Sequence, residues 1–174
     1  NVMGVVNVLE AIRQTDYTLS VVNVTSDKCY ENQNSVWGSR ENDILGGVDP
    51  YSSSKACSEL ISNSYRSSFF ANKNNTKQKV RLATVRAGNV IGGGDWSEYR
   101  IVPDCVQAWM HGDILKIRSP NAVRPWQHVL EPLCGYLKLA QKLYDQEVGF
   151  EEAWNFGPSN NNVYSVQEIV KIMA

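Results

Sequence analysis

Residues 18–25 read Thr-Leu-Ser-Val-Val-Asn-Val-Thr. This short run, rich in β-branched residues, is typical of a strand buried in a parallel sheet. Apolar residues recur at helical spacing before it, in residues 2–12, and a second helix is predicted to begin at Tyr51 and to reach about Phe70. A further β-branched run at 80–86 predicts the next strand. Because strands alternate with helices, we expect an α/β fold with a doubly wound parallel sheet.

The second half of the chain contains further elements of the same kind. Three helices and two short strands are predicted there, namely helices at 102–111, at 131–144 and from Ser165 onward, and strands at 114–117 and 153–157. In the middle helix, the apolar face is predicted from the spacing of Leu133, Leu137 and Ala140.

Composition restricts the class of protein. The 174 residues are 43% hydrophobic and 20% charged, with a formal net charge of −1, so the chain can bury a sizeable core. Without a basic excess, the charge favours neither a nucleic-acid partner nor an anionic membrane. No apolar run is long enough to span a bilayer and the first residues do not resemble a leader, so we expect a cytoplasmic protein.

The cysteines are scattered through the sequence. The four are Cys29, Cys57, Cys105 and Cys134, and none forms a Cys-x-x-Cys pair. This spacing argues against a zinc site and gives no disulfide framework. We expect reduced cysteines that serve as packing residues, and we expect no metal.

The second predicted helix begins with a pair of residues suited to proton transfer. Pro50 fits the first helical position, and Asp49 can cap the free N–H groups. Lys55 follows Tyr51 by one turn on the same face, where a cation favours the phenolate form of a tyrosine. A tyrosine of this kind can act as a general acid or base. The motif alone is weak, because an ordinary surface helix with one aromatic residue and one lysine also contains it.

A polar cluster follows the first predicted strand, with the sequence Thr25-Ser26-Asp27-Lys28-Cys29-Tyr30. In open α/β sheets the ligand lies just beyond the carboxyl ends of the strands, so this cluster is an expected part of the site.

The glycine-rich turn that binds a dinucleotide is not found. No Gly-x-Gly-x-x-Gly joins a strand to a helix, and the residues Gly92-Gly93-Gly94 are not followed directly by a helix. We therefore expect that turn to lie before Asn1, so the chain is predicted to be a fragment of a longer protein.

Five segments, in chain order, resemble the extended short-chain dehydrogenase/reductase family. They are Asn1-Val-x-Gly4, Thr25-Ser-Asp-Lys-x-Tyr30, Tyr51-x-x-x-Lys55, Arg86-Ala-Gly-Asn-Val-Ile-Gly-Gly-Gly-Asp-Trp96 and Arg124-Pro-Trp-Gln-His-Val129. Gly-Gly-Gly-Asp-Trp, Arg-Pro-Trp-Gln-His and the Asp27-Lys28 pair resemble the branch of that family that dehydrates CDP-glucose.

The resemblance implies a Rossmann-like fold, NAD as cofactor and CDP-glucose as a nucleotide-sugar substrate. It implies hydride transfer from C4 of the glucose to NAD⁺, elimination of water across C5 and C6, and return of the hydride to C6. The product is a 4-keto-6-deoxy sugar nucleotide.

The resemblance also implies residue roles. Tyr51 would be the base at the C4 hydroxyl and would also contact the cofactor. Lys55 would lower the pKa of Tyr51 and bind the nicotinamide ribose, and Ser26 would hydrogen-bond the same C4 hydroxyl. Asp27 would be the acid for the leaving C6 hydroxyl, provided that it is protonated. Related dehydratases that act on dTDP-glucose carry Glu at the position of Lys28. Lys28 could take the C5 proton if it is neutral, could stabilise the developing enolate as a cation, or could be a solvated lysine bonded to Asp27.

Four residues are expected to contact the substrate, namely Asn89, Arg100, Arg124 and Asn155. Asn89 matches the family position at the diphosphate and is also assigned to the cofactor, and Arg124 suits a bidentate grip on phosphate oxygens. Arg100 would serve equally in a surface salt bridge.

Two tryptophans, one histidine and the first asparagine also have predicted roles. Trp96 and Trp126 could stack on sugar or base, although an isolated Trp is more often core. His128 is expected to be structural. Asn1 resembles a family asparagine that helps to hold a water relay.

The resemblance predicts two domains and an oligomer. Residues 1–92 would complete an NAD-binding domain, and residues 93–174 would mainly bind the nucleotide sugar, with some segments returning to the sheet. The opening helix and the Tyr51 helix resemble those that form a dimer interface, so we expect a homodimer or a dimer of dimers.

Two alternatives stay open. Another enzyme of the family, such as a nucleotide-sugar 4-epimerase, would share Tyr51 and Lys55 but would not need the acid Asp27. A non-catalytic NAD-binding protein on the same scaffold is the second alternative, since fold does not fix function. The set of Ser26, Tyr51 and Lys55 argues against it.

Overall fold

The fold is taken from a computed structural model that describes residues 1–15, 17–32, 37–70, 80–158 and 163–174. The chain forms two compact units. The first consists of Asn1–Ala87 and Leu133–Phe156, and the second of Gly88–Pro132 and Gly157–Ala174. The predicted functional boundary at residue 92 stays a prediction.

The elements alternate along the chain. The helices are α1 (Val2–Arg13), α2 (Pro50–Tyr65), α3 (Ile101–His111), α4 (Leu130–Tyr144) and α5 (Val166–Met173). The strands are β1 (Ser20–Val24), β2 (Arg81–Ala87), β3 (Val90–Ile91), β4 (Val123–Arg124), β5 (Gln127–His128), β6 (Ala153–Phe156) and β7 (Tyr164–Ser165). A 3₁₀ turn covers Asp27–Cys29, and a π-helical turn covers Arg66–Phe70 directly after α2.

The first unit is built on a three-stranded parallel sheet with the order β1-β2-β6. Val22 lies beside Ala83, and Val85 lies beside Trp154. The predicted parallel sheet is confirmed. No strand in the described residues pairs with the outer edge of β1 or with that of β6.

Helices cover both faces of this sheet. Side chains alternate along a strand, so neighbouring residues of β2 enter separate apolar clusters. One cluster contains Leu82 with residues of α1 and α2, and the other contains Ala83 and Val85 with residues of α4. The predicted doubly wound α/β class is confirmed.

The start of α2 follows its sequence signals. Pro50 occupies the first turn, and the Asp49 carboxylate accepts a hydrogen bond from the Ser52 amide at 3.0 Å. This cap fixes the residue at which the helix begins, and therefore the position of Tyr51.

The helix at 131–144 was predicted correctly, but its apolar face was wrong. Leu139 and Leu143 are buried, whereas Leu133 and Leu137 are 44% and 72% exposed. Gly135 explains why a different face of the helix is buried, because a Cβ at this position would overlap the ring of Phe156. The missing side chain lets this side of α4 approach β6.

The second unit contains α3, α5 and two pairs of very short strands. β3 pairs with β5 in parallel, and β4 pairs with β7 antiparallel. The helices predicted at 102–111 and from Ser165 are confirmed, and Ser165 with Glu168 forms a capping box. The strand predicted at 114–117 is wrong, because Ile114 is 89% exposed and no strand in the described part of the chain pairs with this segment.

The cysteines divide into two classes. Cys29 and Cys105 are buried, as expected of packing residues, but Cys57 and Cys134 are exposed, so the packing prediction was wrong for these two. All four are free thiols, and burial raises the pKa of Cys29 to about 12. Across the described ranges, no helix is long and apolar enough to cross a membrane. The cytoplasmic location stays a prediction.

Candidate functional site

The Ser26–Lys28 segment forms a tight turn at the carboxyl end of β1. The Ser26 hydroxyl accepts a hydrogen bond from the Lys28 amide and donates one to Asp27 Oδ1, both at 3.2 Å. Ser26 is buried, Asp27 is half-buried and Lys28 is exposed. The turn therefore places a half-buried carboxyl group and an exposed ammonium group at the end of β1.

The Tyr51–Lys55 pair lies on the first turns of α2. Lys55 Nζ lies 5.9 Å from the centroid of the Tyr51 ring and 3.5 Å from the carbonyl oxygen of Val24. Val24 ends β1, so this contact connects the helix to the strand that leads into Ser26. Tyr51 is 51% exposed.

The turn and the start of α2 pack against each other. Hydrogen bonds from Ser52 lower the pKa of Asp49, and the charge of Lys28 lowers it further. The Lys28 ammonium therefore acts on the cap of α2, and no Lys28–Asp27 ion pair forms among the described residues. The structure thus brings the five predicted catalytic residues into one region of the first unit.

Asn1 also meets this region. Its side-chain amide donates to the Ser54 hydroxyl at 2.9 Å, and Ser54 in turn donates to the carbonyl oxygen of Tyr51. The start of α1 is thereby connected to the first turn of α2.

A buried ion pair that the sequence motifs did not predict adjoins this region. Glu59 and Arg86 are 2% and 4% exposed, and Arg86 Nη2 donates to Glu59 Oε2 at 2.7 Å. Thr84 donates to the same oxygen at 2.7 Å, and Thr25 donates to Glu59 Oε1. The strand β2, the residue that follows β1 and the helix α2 therefore meet at a single carboxylate.

The electrostatics of this pair favour both charged forms. Burial by itself would raise the pKa of Glu59, but hydrogen bonds from Arg86 and Thr25 outweigh it and the pKa is lowered. Burial likewise opposes the charge of Arg86, yet hydrogen bonds to Glu59 and Tyr30 raise its pKa. The pair is fully ionised at neutral pH.

The network continues to Tyr30 and Asn155. Arg86 Nη1 donates to the Tyr30 hydroxyl, which donates to Asn155 Oδ1, both at 2.7 Å. The Asn155 amide also donates to the carbonyl oxygen of Ser39 at 2.9 Å. The structure thus places Asn155, predicted as a substrate contact, beside Tyr30, and its predicted role stays a prediction.

A signal for the network was present in the sequence. Glu59 stands at helical spacing from Ser52 and Ala56, on the side of α2 that is buried. Thr84 and Arg86 alternate with apolar residues in β2, which puts them on one face of the sheet.

The other predicted substrate contacts lie in the second unit. Asn89 precedes β3, and its carbonyl oxygen accepts from the Gln127 amide at 3.1 Å. Arg124 lies in β4, and its guanidinium donates to the carbonyl oxygen of Val123 at 2.8 Å. Arg100 is exposed at the start of α3, without a side-chain cap bond.

The aromatic residues of this unit differ in environment. Trp126 is buried and donates to the carbonyl oxygen of Tyr164 at 3.1 Å, whereas Trp96 is 59% exposed. His128 Nδ1 accepts from the Leu130 amide at 3.3 Å, which is a structural contact.

A family model described as the NAD dependent epimerase/dehydratase family matches residues 1–157. The chain belongs to this family. Membership confirms the Rossmann-like α/β class. It also confirms NAD as the cofactor, because the description of the family names NAD.

One curated relative is CDP-glucose 4,6-dehydratase of Salmonella typhimurium. It is 51% identical over 173 residues, which are 99% of this chain and 48% of that protein. The chain therefore spans about half the length of this relative.

Solved structures share the fold. A dTDP-glucose 4,6-dehydratase from Bacillus anthracis in complex with NAD matches with a TM-score of 0.73 at 25% identity, over 98% of this chain and 49% of that one. A dTDP-glucose 4,6-dehydratase from Streptomyces venezuelae with NAD bound matches with a TM-score of 0.78 at 22% identity, over 99% and 48%. The second likeness bears on the fold alone.

Proposed function

We propose that the full-length protein containing this chain dehydrates CDP-glucose to CDP-4-keto-6-deoxyglucose and water, with NAD as cofactor. The observation that carries this proposal is the 51% identity, over 99% of the chain, to a CDP-glucose 4,6-dehydratase. The site geometry supports it, because the Tyr51–Lys55 pair and the Ser26–Lys28 turn pack together at the carboxyl end of β1.

The residues at this edge of the sheet fit a nicotinamide cofactor. Tyr51 is half-exposed and Lys55 lies beside its ring, so a hydroxyl and an ammonium are available where open α/β sheets bind their ligands. Lys55 would hold the nicotinamide ribose. When bound, NAD would accept the hydride from C4 of the sugar and return it to C6.

The oxidation step needs a base at the C4 hydroxyl. We assign this role to Tyr51, whose ring centroid lies 5.9 Å from the Lys55 ammonium nitrogen. Ser26 would hydrogen-bond the same hydroxyl and orient it, since its own hydroxyl is fixed by the Lys28 amide.

The elimination step needs an acid for the leaving C6 hydroxyl and a means of removing the C5 proton. Asp27, half-buried at the end of β1, would donate the proton to the hydroxyl, which leaves as water. Lys28 is exposed, and its positive charge acts on Asp49. A cationic role, in which the ammonium stabilises the enolate, therefore suits Lys28 better than a neutral base. The C5 proton would pass to solvent water, which reaches this exposed side chain, and a proton would return to C5 when the hydride returns to C6.

The nucleotide sugar would also be held by residues outside this turn. Arg124 would bind the diphosphate, and Asn89, Arg100 and Asn155 would supply further contacts. Asn89 would also contribute to the cofactor site.

A homodimer is part of the same proposal. The side chains of Met3, Val8 and Leu60, on α1 and α2, are 66%, 58% and 58% exposed. Covering these apolar groups with a second copy would be favourable.

The assay gives full-length protein NAD⁺ and CDP-glucose, with dTDP-glucose and UDP-glucose in parallel. Product is detected by the alkaline absorbance of 4-keto-6-deoxy sugars. We expect product from CDP-glucose only. Turnover of another sugar nucleotide, or epimerisation without elimination, would refute the proposal.

Tyr51→Phe tests the assigned base. Loss of general base catalysis lowers rates by about 10²–10⁴-fold, so we expect kcat to fall by that amount. Tyr144→Phe is the matched control, because Tyr144 is 57% exposed on α4 and Tyr51 is 51% exposed. Equal activity of the two variants would exclude Tyr51 as the base.

A further inference from the structure

The helix α2 packs Ile61 and Tyr65, both partly buried, against the cluster that contains Leu82, but most of its fully buried residues are polar. Its buried residues are Ser52, Ala56, Ser58, Glu59 and Ser62. Apolar contacts are non-directional, whereas hydrogen bonds have restricted lengths and angles. Polar contacts therefore add direction to the apolar packing that holds α2 on the strands.

Glu59 makes the largest share of these contacts. Its Oε1 accepts from Thr25, and its Oε2 accepts from Thr84 and Arg86 at 2.7 Å each. Two other bonds support the same register: Asn23 donates to Ser62 Oγ at 2.8 Å, and Lys55 donates to the carbonyl oxygen of Val24 at 3.5 Å.

The two ends of the Thr25–Glu59 bond adjoin the proposed catalytic residues. Thr25 directly precedes Ser26, and Glu59 follows Lys55 by one helical turn. Thr84 lies in the middle of β2 and adjoins none of them. The Thr25–Glu59 bond is therefore a direct side-chain connection between the segment that carries Ser26 and Asp27 and the helix that carries Tyr51 and Lys55.

We infer that Glu59 is a positioning residue: through Thr25 it holds the Ser26–Lys28 turn in register with Tyr51 and Lys55. This inference rests on the proposed function. The reaction requires the base and the acid at fixed separations from one sugar ring, and a displacement of about 1 Å can cost about 10²-fold in rate. Glu59 acts without touching the substrate.

Two substitutions of the same kind separate positioning from stability. Thr25→Val and Thr84→Val each replace a buried threonine by an isosteric residue and remove one hydroxyl donor to Glu59. Thr25→Ser keeps the donor. All variants are compared in the full-length protein, at a temperature and pH where each is fully folded by circular dichroism.

We expect kcat to fall in the variant that lacks the Thr25 hydroxyl and to be retained in the two variants that keep it. We expect Thr25→Val to lower kcat for CDP-glucose by about 10- to 100-fold, with KM within about threefold of wild type. Thr25→Ser and Thr84→Val are expected to stay within about threefold of wild type in both constants. A loss in Thr84→Val equal to that in Thr25→Val would overturn the inference.

Hydrogen exchange gives a second measurement that needs no substrate. The amides of Lys28 and Cys29 bond to Ser26, so their exchange reports the order of the turn. We expect exchange in residues 26–30 to rise about tenfold or more in Thr25→Val and to be unchanged in Thr84→Val. If wild type converts none of the sugar nucleotides, the proposed function fails, and exchange still decides whether Glu59 holds the turn. Equal exchange in the two variants would overturn the inference.

Discussion

Replacing Arg86 by methionine is expected to destabilise the first unit strongly. Arg86 and Glu59 are 4% and 2% exposed, so the change leaves a buried carboxylate whose remaining described donors are the hydroxyls of Thr25 and Thr84. Removing one partner of a buried ion pair costs about 3–5 kcal/mol. We expect the free energy of unfolding to fall by about this amount, a large part of the stability of an ordinary domain.

The assay is urea unfolding of the full-length protein followed by far-UV circular dichroism. An unchanged m value would show that both proteins expose a similar amount of surface on unfolding. The double variant Glu59→Gln/Arg86→Met removes both charges, so we expect it to lose less than the sum of the two single variants, by about 0.5–3 kcal/mol. A cost below about 1 kcal/mol for Arg86→Met, or strict additivity in the double variant, would refute the reasoning.

Three further predictions concern the same unit. Gly135→Ala should destabilise it by about 1 kcal/mol or more, since overlap with the Phe156 ring outweighs the helix propensity of alanine; thermal unfolding measures this, and a raised Tm would contradict it. Leu143→Ala should cost about 2–5 kcal/mol because Leu143 is fully buried, and Leu137→Ala, on the exposed side of α4, should cost under about 0.5 kcal/mol in the same urea assay. Because the pKa of Glu59 is lowered in the folded state, its stabilising contribution is present above the ordinary value of 4.5 and is lost as the pH falls through the folded value. Urea midpoints from pH 7 to pH 3 should therefore decline less steeply in Glu59→Gln than in wild type, and parallel declines would contradict this.

The sequence predicted the elements whose ends carry chemical signals. Asp49 and Pro50 gave the start of α2, and Ser165 gave the start of α5. The grouping of the candidate site residues was also predictable in part, because each of the two segments is local: one follows a β-branched strand, and the other is a single helical turn.

The face of α4 could not be predicted from spacing. Leucines lie on more than one side of this helix, so periodicity does not select a face. The choice is made by Gly135 against Phe156, which is a tertiary contact. The segment at 114–117 has a strand-like composition but no partner strand among the described residues, and composition alone cannot supply one.

The Glu59 network was missed for a related reason. A glutamate in a helix is ordinarily solvated, and the partners of Glu59 are 25 to 34 residues away in the sequence. Burial of its charge depends on three separate segments meeting, which no local pattern reveals.

The three-stranded sheet has a consequence for handling the chain by itself. Each outer strand has one edge with which no described strand pairs. On β1 this edge is formed by the backbone of a strand that contains the apolar residues Val21, Val22 and Val24. An open strand edge is a template for a strand from another molecule. Residues 1–174 prepared alone should therefore self-associate in a concentration-dependent way, and supplying a complementary strand in the same polypeptide should restore a monodisperse sample.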